Sequence, residues 1–375
     1  MNGGEWRYIW QSEAWPRWHY DLALLATPLS RVTHAQGRLL GRLADVGMDL
    51  QQRAILNVLT GEVLQSSVIE GERLNGAAVR SSLARRLGVD EAGVPVADRA
   101  VEGMVQMVLD ATLHYRLPLT AERLFAWQAA LFPTGYSGML PIRVGGWRDD
   151  SRGPMQVVTG PIGRQRVHYE APPAARVAAE MAGFLVWINE ASEESPIVRA
   201  GVAHLWFVTV HPFEDGNGRI ARAIAEWLLA RADGTPQRFY SLSAQIEREK
   251  KSYYLLLEQA QKGTLSLTDW LLWFLAMVEQ AIIQAEQSVA SVLSKARFWQ
   301  RLAGIPLNER QIKLLNRLLD GFSGHLTSSK WAAIGKCSQD SALRDINDLL
   351  ARGILSKTSA GGRSSRYLLT AELLE

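Results

Sequence analysis

The chain has 375 residues, 47% of them hydrophobic, and a formal net charge of +3. That is enough apolar material for two or three domains with a sizeable core, and it excludes wholesale disorder. A single cysteine, Cys337, excludes a disulfide framework within the chain and a cysteine-rich zinc site, and it fits a cytoplasmic location.

No apolar run stands behind a basic cluster at the start, so no secretory signal is expected. Residues 6–16 are aromatic and turn-rich. From Asp21 to about Ala84, Leu and Val recur at three- and four-residue intervals, which predicts two or three helices packed as an N-terminal unit. Residues 99–135 read as helical again. The stretch 137–174 breaks that cadence with many Gly and Pro and short β-branched runs at 155–159 and 167–169, the pattern of a β-hairpin between helices. Helical periodicity resumes at Arg176 and persists to about Val289. The apolar run 269–285 is interrupted by Glu279 and Gln280 and reads as a core helix, so no membrane association is expected.

A boundary falls near 290–308. Beyond it come a helix, a short helix opened by Thr or Ser, a longer helix ended by Gly353, and two short strands about Gly361-Gly362. That is the order of a winged helix-turn-helix. The expected division is 1–98, 99–290 and 300–375.

The chemically informative stretch is His-Pro-Phe-Glu-Asp-Gly-Asn-Gly-Arg-Ile-Ala-Arg, residues 211–222, between a strongly apolar helical run and a second helix. Gly216 and Gly218 permit dihedrals closed to other residues and leave no Cβ in the way. Backbone N–H groups at the helix start make an anion cradle, to which Asn217 adds a side-chain donor. Arg219 and Arg222, three apart, reach the same side and suit a polyphosphate. Asp215 puts a hard carboxylate beside those phosphates, which suits Mg²⁺. His211 titrates near neutrality and can take a proton from an attacking hydroxyl.

This string resembles the Fic family signature, His-x-Phe-x-(Asp/Glu)-Gly-Asn-Gly-Arg-x-x-Arg, with every specified position filled. The resemblance implies a mainly α fold: a Fic-type helical core with a β-hairpin flap, followed here by the winged helix-turn-helix. It implies a protein adenylyltransferase that moves AMP from ATP onto Ser, Thr or Tyr hydroxyls of target proteins. His211 would be the general base and Asp215 the Mg²⁺ ligand. Gly216, Asn217 and Gly218 would bind the α- and β-phosphates, and Arg222 the γ-phosphate. Phe213 would anchor the loop in the core.

Further resemblances sit around this motif. Residues 157–174 resemble the family's flap, with Thr159, Gly160, Pro161 and Ile162 at its tip; the alternative is a surface hairpin without a role. His168 reads as structural. Tyr253, Tyr254 and Gln261 resemble the adenine side of the pocket, although the tyrosines could equally pack a helix interface. Ser66, Glu70 and Gly71 fit the inhibitory pattern Ser/Thr-x-x-x-Glu-(Gly/Asn), which implies a Glu70–Arg222 pair that blocks productive ATP binding. The alternative is a helix-end glutamate followed by a capping glycine.

Several readings stay open. Removal of AMP as well as its transfer fits the same site. A homodimer that controls release of Glu70 is compatible with it. The tail offers weak DNA binding through Lys357, Arg363 and Arg366, or else protein contacts, because its second motif helix carries Asp340, Asp345 and Asp348 beside Arg344 and Arg352. From another class comes a DNA-binding regulator with a Fic-like sensor core.

Overall fold

The computed structural model describes residues 7–44, 46–89, 97–161, 164–319, 322, 326–357 and 366–373. Its contacts divide the chain into two units, 1–285 and 286–375. Ile162 of the expected flap tip, and Gly361, Gly362 and Arg363 of the expected wing, lie outside the described residues.

The first unit opens on a 3₁₀ turn at Ile9–Gln11, followed by α1 (Leu22–Ala44), α2 (Met48–Ile69) and α3 (Gly76–Leu87). These realise the N-terminal helices predicted from apolar spacing. Next come α4 (Arg99–Leu113) and α5 (Ala121–Leu131). Side-chain caps set where helices begin: Asn75 accepts from Ala78 N, Asp98 from Val101 N and Thr120 from Arg123 N. A small hairpin that the sequence did not announce pairs β1 (Tyr136–Ser137) with β2 (Leu140–Pro141). The predicted hairpin pairs β3 (Gln156–Thr159) with β4 (Arg166–Glu170), antiparallel, with a register shift between Val157 and Val158.

The unit is completed by α6 (Ala174–Asn189), α7 (Pro196–Val210), α8 (Asn217–Asp233), α9 (Leu242–Arg248), α10 (Lys250–Lys262) and the first part of α11 (Thr268–Arg301). Every residue of α7 from Ile197 to Val210 is buried, as a helix apolar on all sides must be. Its principal neighbour is α8, buried from Ile220 to Ala230. The N-terminal α2 packs into the same unit, against α9, α3, α4 and α8. Its Glu62 is only 3% exposed and accepts from the Ser241 hydroxyl at 2.6 Å and the Ser243 N–H at 3.0 Å. A buried carboxylate satisfied in this way fixes α2 against α9.

The second unit contains α12 (Glu309–Leu319), α13 (Ser328–Gly335), α14 (Gln339–Ala351) and the antiparallel pair β5 (Leu355–Lys357) and β6 (Tyr367–Leu369). Thr327 and Ser338 cap α13 and α14. Trp331, Leu315, Ile346 and Leu349 form the middle of its core. Among the described residues, no helix is long and apolar enough to cross a membrane.

Candidate active site

The site is built where α7 ends and α8 begins. His211 follows α7 with φ 51 and ψ 58, a left-handed conformation uncommon for a residue with a Cβ. Its N–H still closes the helix on the Phe207 carbonyl at 2.9 Å. Its Nδ1 lies 3.1 Å from the Val208 carbonyl. A carbonyl can only accept, so Nδ1 carries the proton and Nε2 is the basic nitrogen. Burial and the nearby Arg148 cation lower the imidazole's pKa below its ordinary value of 6.5. The ring is therefore neutral at neutral pH.

Arg148 holds this turn from the other side. Its Nε donates to the His211 carbonyl at 2.8 Å, its backbone N–H to the Pro212 carbonyl at 2.9 Å, and its other arms to Pro172 and Asp150. The side chain is fully enclosed. Phe213 is likewise buried, among Phe125, Trp147 and Phe207.

Asn217 departs from expectation. Its amide oxygen accepts from Phe213 N at 3.0 Å and its nitrogen donates to Phe213 O at 2.8 Å. The side chain is thus spent on stapling the loop, and what Asn217 offers an anion is its backbone N–H in the first turn of α8. Gly216, at φ 88, supplies the left-handed turn into that helix. Gly218 is helical and needs no special dihedral, so of the two reasons the sequence offers for it only the missing Cβ applies. Its role is space: a Cβ there would stand 2.2 Å from Glu70 Oε1.

Asp215 is 40% exposed beside the helix start. One oxygen accepts from the Gly216 N–H at 2.5 Å and the other from the Ser137 hydroxyl in the β1–β2 hairpin. The backbone N–H groups that open α8 and this single carboxylate form the anion-and-cation corner of the site.

The two arginines are already engaged. Arg222, 1% exposed, pairs with Glu70 at 2.9 Å and donates to the Ser66 hydroxyl at 3.0 Å and the Ser66 carbonyl at 2.8 Å. Burial works most strongly against its charge, but Glu70, with Tyr253 and Tyr254, raises its pKa on balance. Arg219 lies against the Phe132 ring and pairs with Glu72 at 2.6 Å. Sequence reasoning missed Glu72, which falls just outside the short inhibitory pattern. Gly71, at φ 86, lets the chain turn so that Glu70 and Glu72 reach the two arginines. The end of α2 is held further by Lys250 Nζ on the Val68 carbonyl at 3.3 Å and the Tyr254 hydroxyl on the Ile69 carbonyl at 3.1 Å.

The residues expected on the adenine side separate. Tyr253 is buried, bonds His204 Nε2 at 2.8 Å and stacks on Trp273, so it takes the packing role. Gln261 is buried and donates to the Val208 carbonyl at 3.4 Å, bracing the end of α7. Only Tyr254 presents a substantially exposed ring, at 41%.

The hairpin is anchored at its base. The Tyr169 hydroxyl donates to the Thr209 carbonyl at 2.6 Å, the Tyr8 ring meets Tyr169 edge-on, and Trp10 Nε1 donates to Glu170 O at 2.8 Å. This uses the N-terminal aromatics, whose place the sequence alone did not give. Thr159 Oγ1 lies 2.6 Å from His168 Nε2, whose Nδ1 meets Glu258 at 2.7 Å. Lys262 first, and His168 after it, hold the Glu258 carboxyl down to about 2. Gly160, at φ 103, and Pro161 carry the chain out of β3.

A neutral imidazole, the N–H groups of a helix start, the Asp215 carboxylate and two arginines held by Glu70 and Glu72 thus meet where α7 ends and α8 begins. Residues 118–229 match the model of the Fic/DOC family, and residues 8–89 match one described as a domain of unknown function, DUF4172. Residues 118–229 of the chain are thus a Fic/DOC family domain. It is 36% identical over 91 residues to protein adenylyltransferase fic-1 of Caenorhabditis briggsae, a match covering 24% of this chain and 17% of that protein. It is 26% identical over 265 residues to protein adenylyltransferase Fic of Drosophila willistoni, covering 65% of this chain and 48% of that one. The chain thus spans less than half the length of these curated relatives. In fold it is similar to a Fic family protein from Desulfovibrio desulfuricans, with TM-score 0.52, 20% identity, and 94% and 98% of the two chains covered. Fic-1 of Caenorhabditis elegans gives TM-score 0.50 at 20% identity, with 73% and 75% covered.

Proposed function

We propose that this protein is an adenylyltransferase that transfers AMP from ATP to a hydroxyl of a target protein and that is held off by its own α2 tail. The observation that carries the reading is the pairing of Arg222 with Glu70 beside a neutral His211. A Ser, Thr or Tyr hydroxyl gives its proton to His211 Nε2 as its oxygen bonds to the α-phosphorus. The bond to the β-phosphate bridge breaks, and pyrophosphate leaves. The N–H groups at the start of α8 receive the phosphates, with Arg219 and Arg222 as their cationic partners.

Asp215 is the residue that would hold Mg²⁺, which supplies neutralising charge to the phosphates when bound. Among the described residues, no cluster of three or more His, Cys, Asp or Glu could cage a metal alone. A single hard carboxylate beside a phosphate nest fits an ion that takes most of its ligands from phosphate and water.

An arginine held by a carboxylate cannot hold a phosphate, and here both arginines are so held. We read Glu70 as the main brake, because its partner is the more buried, and Glu72 as a second one on Arg219. The open edges of the two-stranded hairpin support its reading as a flap that pairs with the target's backbone. The test is incubation with Mg²⁺ and ATP labelled on the α-phosphate, with and without lysate. Glu70→Gly is expected to label itself or a target about tenfold or more above wild type, and adding His211→Ala to lower that at least a hundredfold, an order of magnitude usual for removal of a general base. Equal, background-level labelling in all three chains would overturn the proposal.

A further inference from the structure

The charge of the chain is unevenly placed. Residues 286–375 carry thirteen Lys or Arg against eight Asp or Glu, a formal +5, whereas residues 1–285 carry twenty-eight against thirty, a formal −2. The mild basicity of the whole chain therefore conceals a basic second unit and a slightly acidic first one.

On sequence alone, the three aspartates of α14 argue against contact with a polyanion. Inside the second unit, two of them are turned away from that use. Asp345 is 5% exposed and is clamped by Arg310 at 2.9 Å and 3.1 Å, by Asn308 Nδ2 at 2.9 Å and by Trp331 Nε1 at 3.4 Å. Asp348 accepts from Gln311 Nε2 at 2.9 Å and Arg352 Nε at 2.9 Å. They tie α14 to α12 and α13 and their charges are locally compensated. Of the carboxylates of α14, Asp340 alone remains unpaired with a cation among the described residues.

What α14 exposes is different in kind. Gln339, Leu343 and Asn347 are exposed at i, i+4 and i+8, on one stripe, with Arg344 beside them. Gln, Asn and Arg are the side chains whose donor and acceptor pairs match base edges in a major groove, and an apolar side chain meets the thymine methyl. Exposed cations lie on the elements about α14: Lys336 in the turn before it, Lys330 on α13, which packs on it, and Lys357 and Arg366 at the described ends of the β5–β6 hairpin, whose β5 packs on it. A polar reading face with cations about it complements duplex DNA; a protein-binding helix of this kind would instead expose a contiguous apolar face.

We propose that the unit 286–375 binds duplex DNA, with the outer face of α14 in the major groove and Lys357 and Arg366 on the adjacent backbone. This makes the protein a DNA-associated enzyme, a function separate from the nucleotide chemistry of the first unit. The probe is a short fluorescent duplex, first of random sequence and then of the sequence enriched from a random pool, titrated with the full chain and followed by anisotropy. Binding is expected to weaken steeply as salt rises from about 50 mM to about 200 mM, because phosphate contacts release counterions. Lys357→Glu with Arg366→Glu is expected to weaken binding to every sequence by about tenfold or more and to flatten the salt dependence. Arg344→Lys, which keeps the charge, is expected to retain binding to random duplex but to lose about tenfold in preference for the enriched one. Unchanged melting curves would show that both variants fold. No salt-dependent binding at about 50 mM salt, or binding unchanged in both folded variants, would overturn the proposal. Self-association of the unbound chain through the same residues would overturn it in favour of a protein-contact role.

Discussion

The loop from His211 to Asn217 and the segment from Ser66 to Glu72 face each other across the site, yet they are held by different groups. The loop is fixed by groups that the proposed phosphate binding does not use: the Arg148 side chain on the His211 carbonyl and its backbone N–H on the Pro212 carbonyl, Phe213 in the core, and the Asn217 side chain on Phe213. The segment is fixed largely by the arginines that a polyphosphate would claim, Arg222 and Arg219. On the proposed function, a bound nucleotide would compete with the second set of contacts and leave the first untouched. The proposed catalytic turn would then be pre-organised whether or not the proposed brake is on, and that brake would rest on two ion pairs and their supporting bonds.

The largest expected effect comes from undoing the loop's support. Arg148→Ala in the Glu70→Gly chain removes the donors to the His211 and Pro172 carbonyls, and is expected to cut the labelling rate on the order of a hundredfold while leaving the KM for ATP near its starting value. The pH profile carries a second signature. Arg148 helps depress the His211 pKa, so its loss moves the acid limb of the rate profile to higher pH, because the base must be neutral to accept a proton. Arg148→Lys, with its cation retained, is expected to recover part of the rate and most of the pH shift. A rise in KM for ATP with the acid limb unmoved would show that the loop does not depend on Arg148 in this way.

A smaller effect sharpens the brake. Glu72 is 46% exposed, and its pair with Arg219 is correspondingly screened. Glu72→Ala added to Glu70→Gly is expected to lower the KM for ATP by a few-fold, roughly the worth of a half-exposed ion pair. Glu72→Ala alone should raise labelling less than Glu70→Gly alone, since Arg222 stays held. An ATP dependence that is the same with and without Glu72 would reduce the brake to Glu70.

The sequence was readable where chemistry dictates residue types at fixed local spacing. The 211–222 string, the hairpin and the helix order all belong to this kind, and the Glu70–Arg222 pair came from a short pattern read beside that string. What escaped depends on approach between distant segments. Arg148 meets His211 across 63 residues and Glu72 meets Arg219 across 147, and neither falls in a local pattern. Gly218 looked like a residue chosen for backbone freedom and a missing Cβ, but only the second applies, and what it makes room for is a carboxylate from another helix. Asn217 looked like a phosphate donor because its amide was assumed unspent. The aspartates of α14 looked repulsive because helical spacing cannot show Arg310, on a separate helix, closing over Asp345.

The smallest effect tests whether the hairpin is part of the same rigid frame as the loop. Tyr169 is buried and its pKa is raised well above the ordinary phenol value by burial, so it stays a donor to the Thr209 carbonyl at any working pH. Tyr169→Phe keeps the ring against Tyr8 and removes one bond, leaving that carbonyl without its donor, at a cost of about 1–2 kcal/mol. The melting temperature of the first unit is expected to fall by roughly 2–6 °C. Because Thr209 lies two residues before His211, the loss also loosens the link between the hairpin and the catalytic turn. If the hairpin positions the target chain, labelling of a protein target should show a raised KM for that target with the KM for ATP unchanged. A fall in melting temperature with both KM values unmoved would mean that the bond serves stability alone, and that the hairpin's grip on a target does not pass through its base.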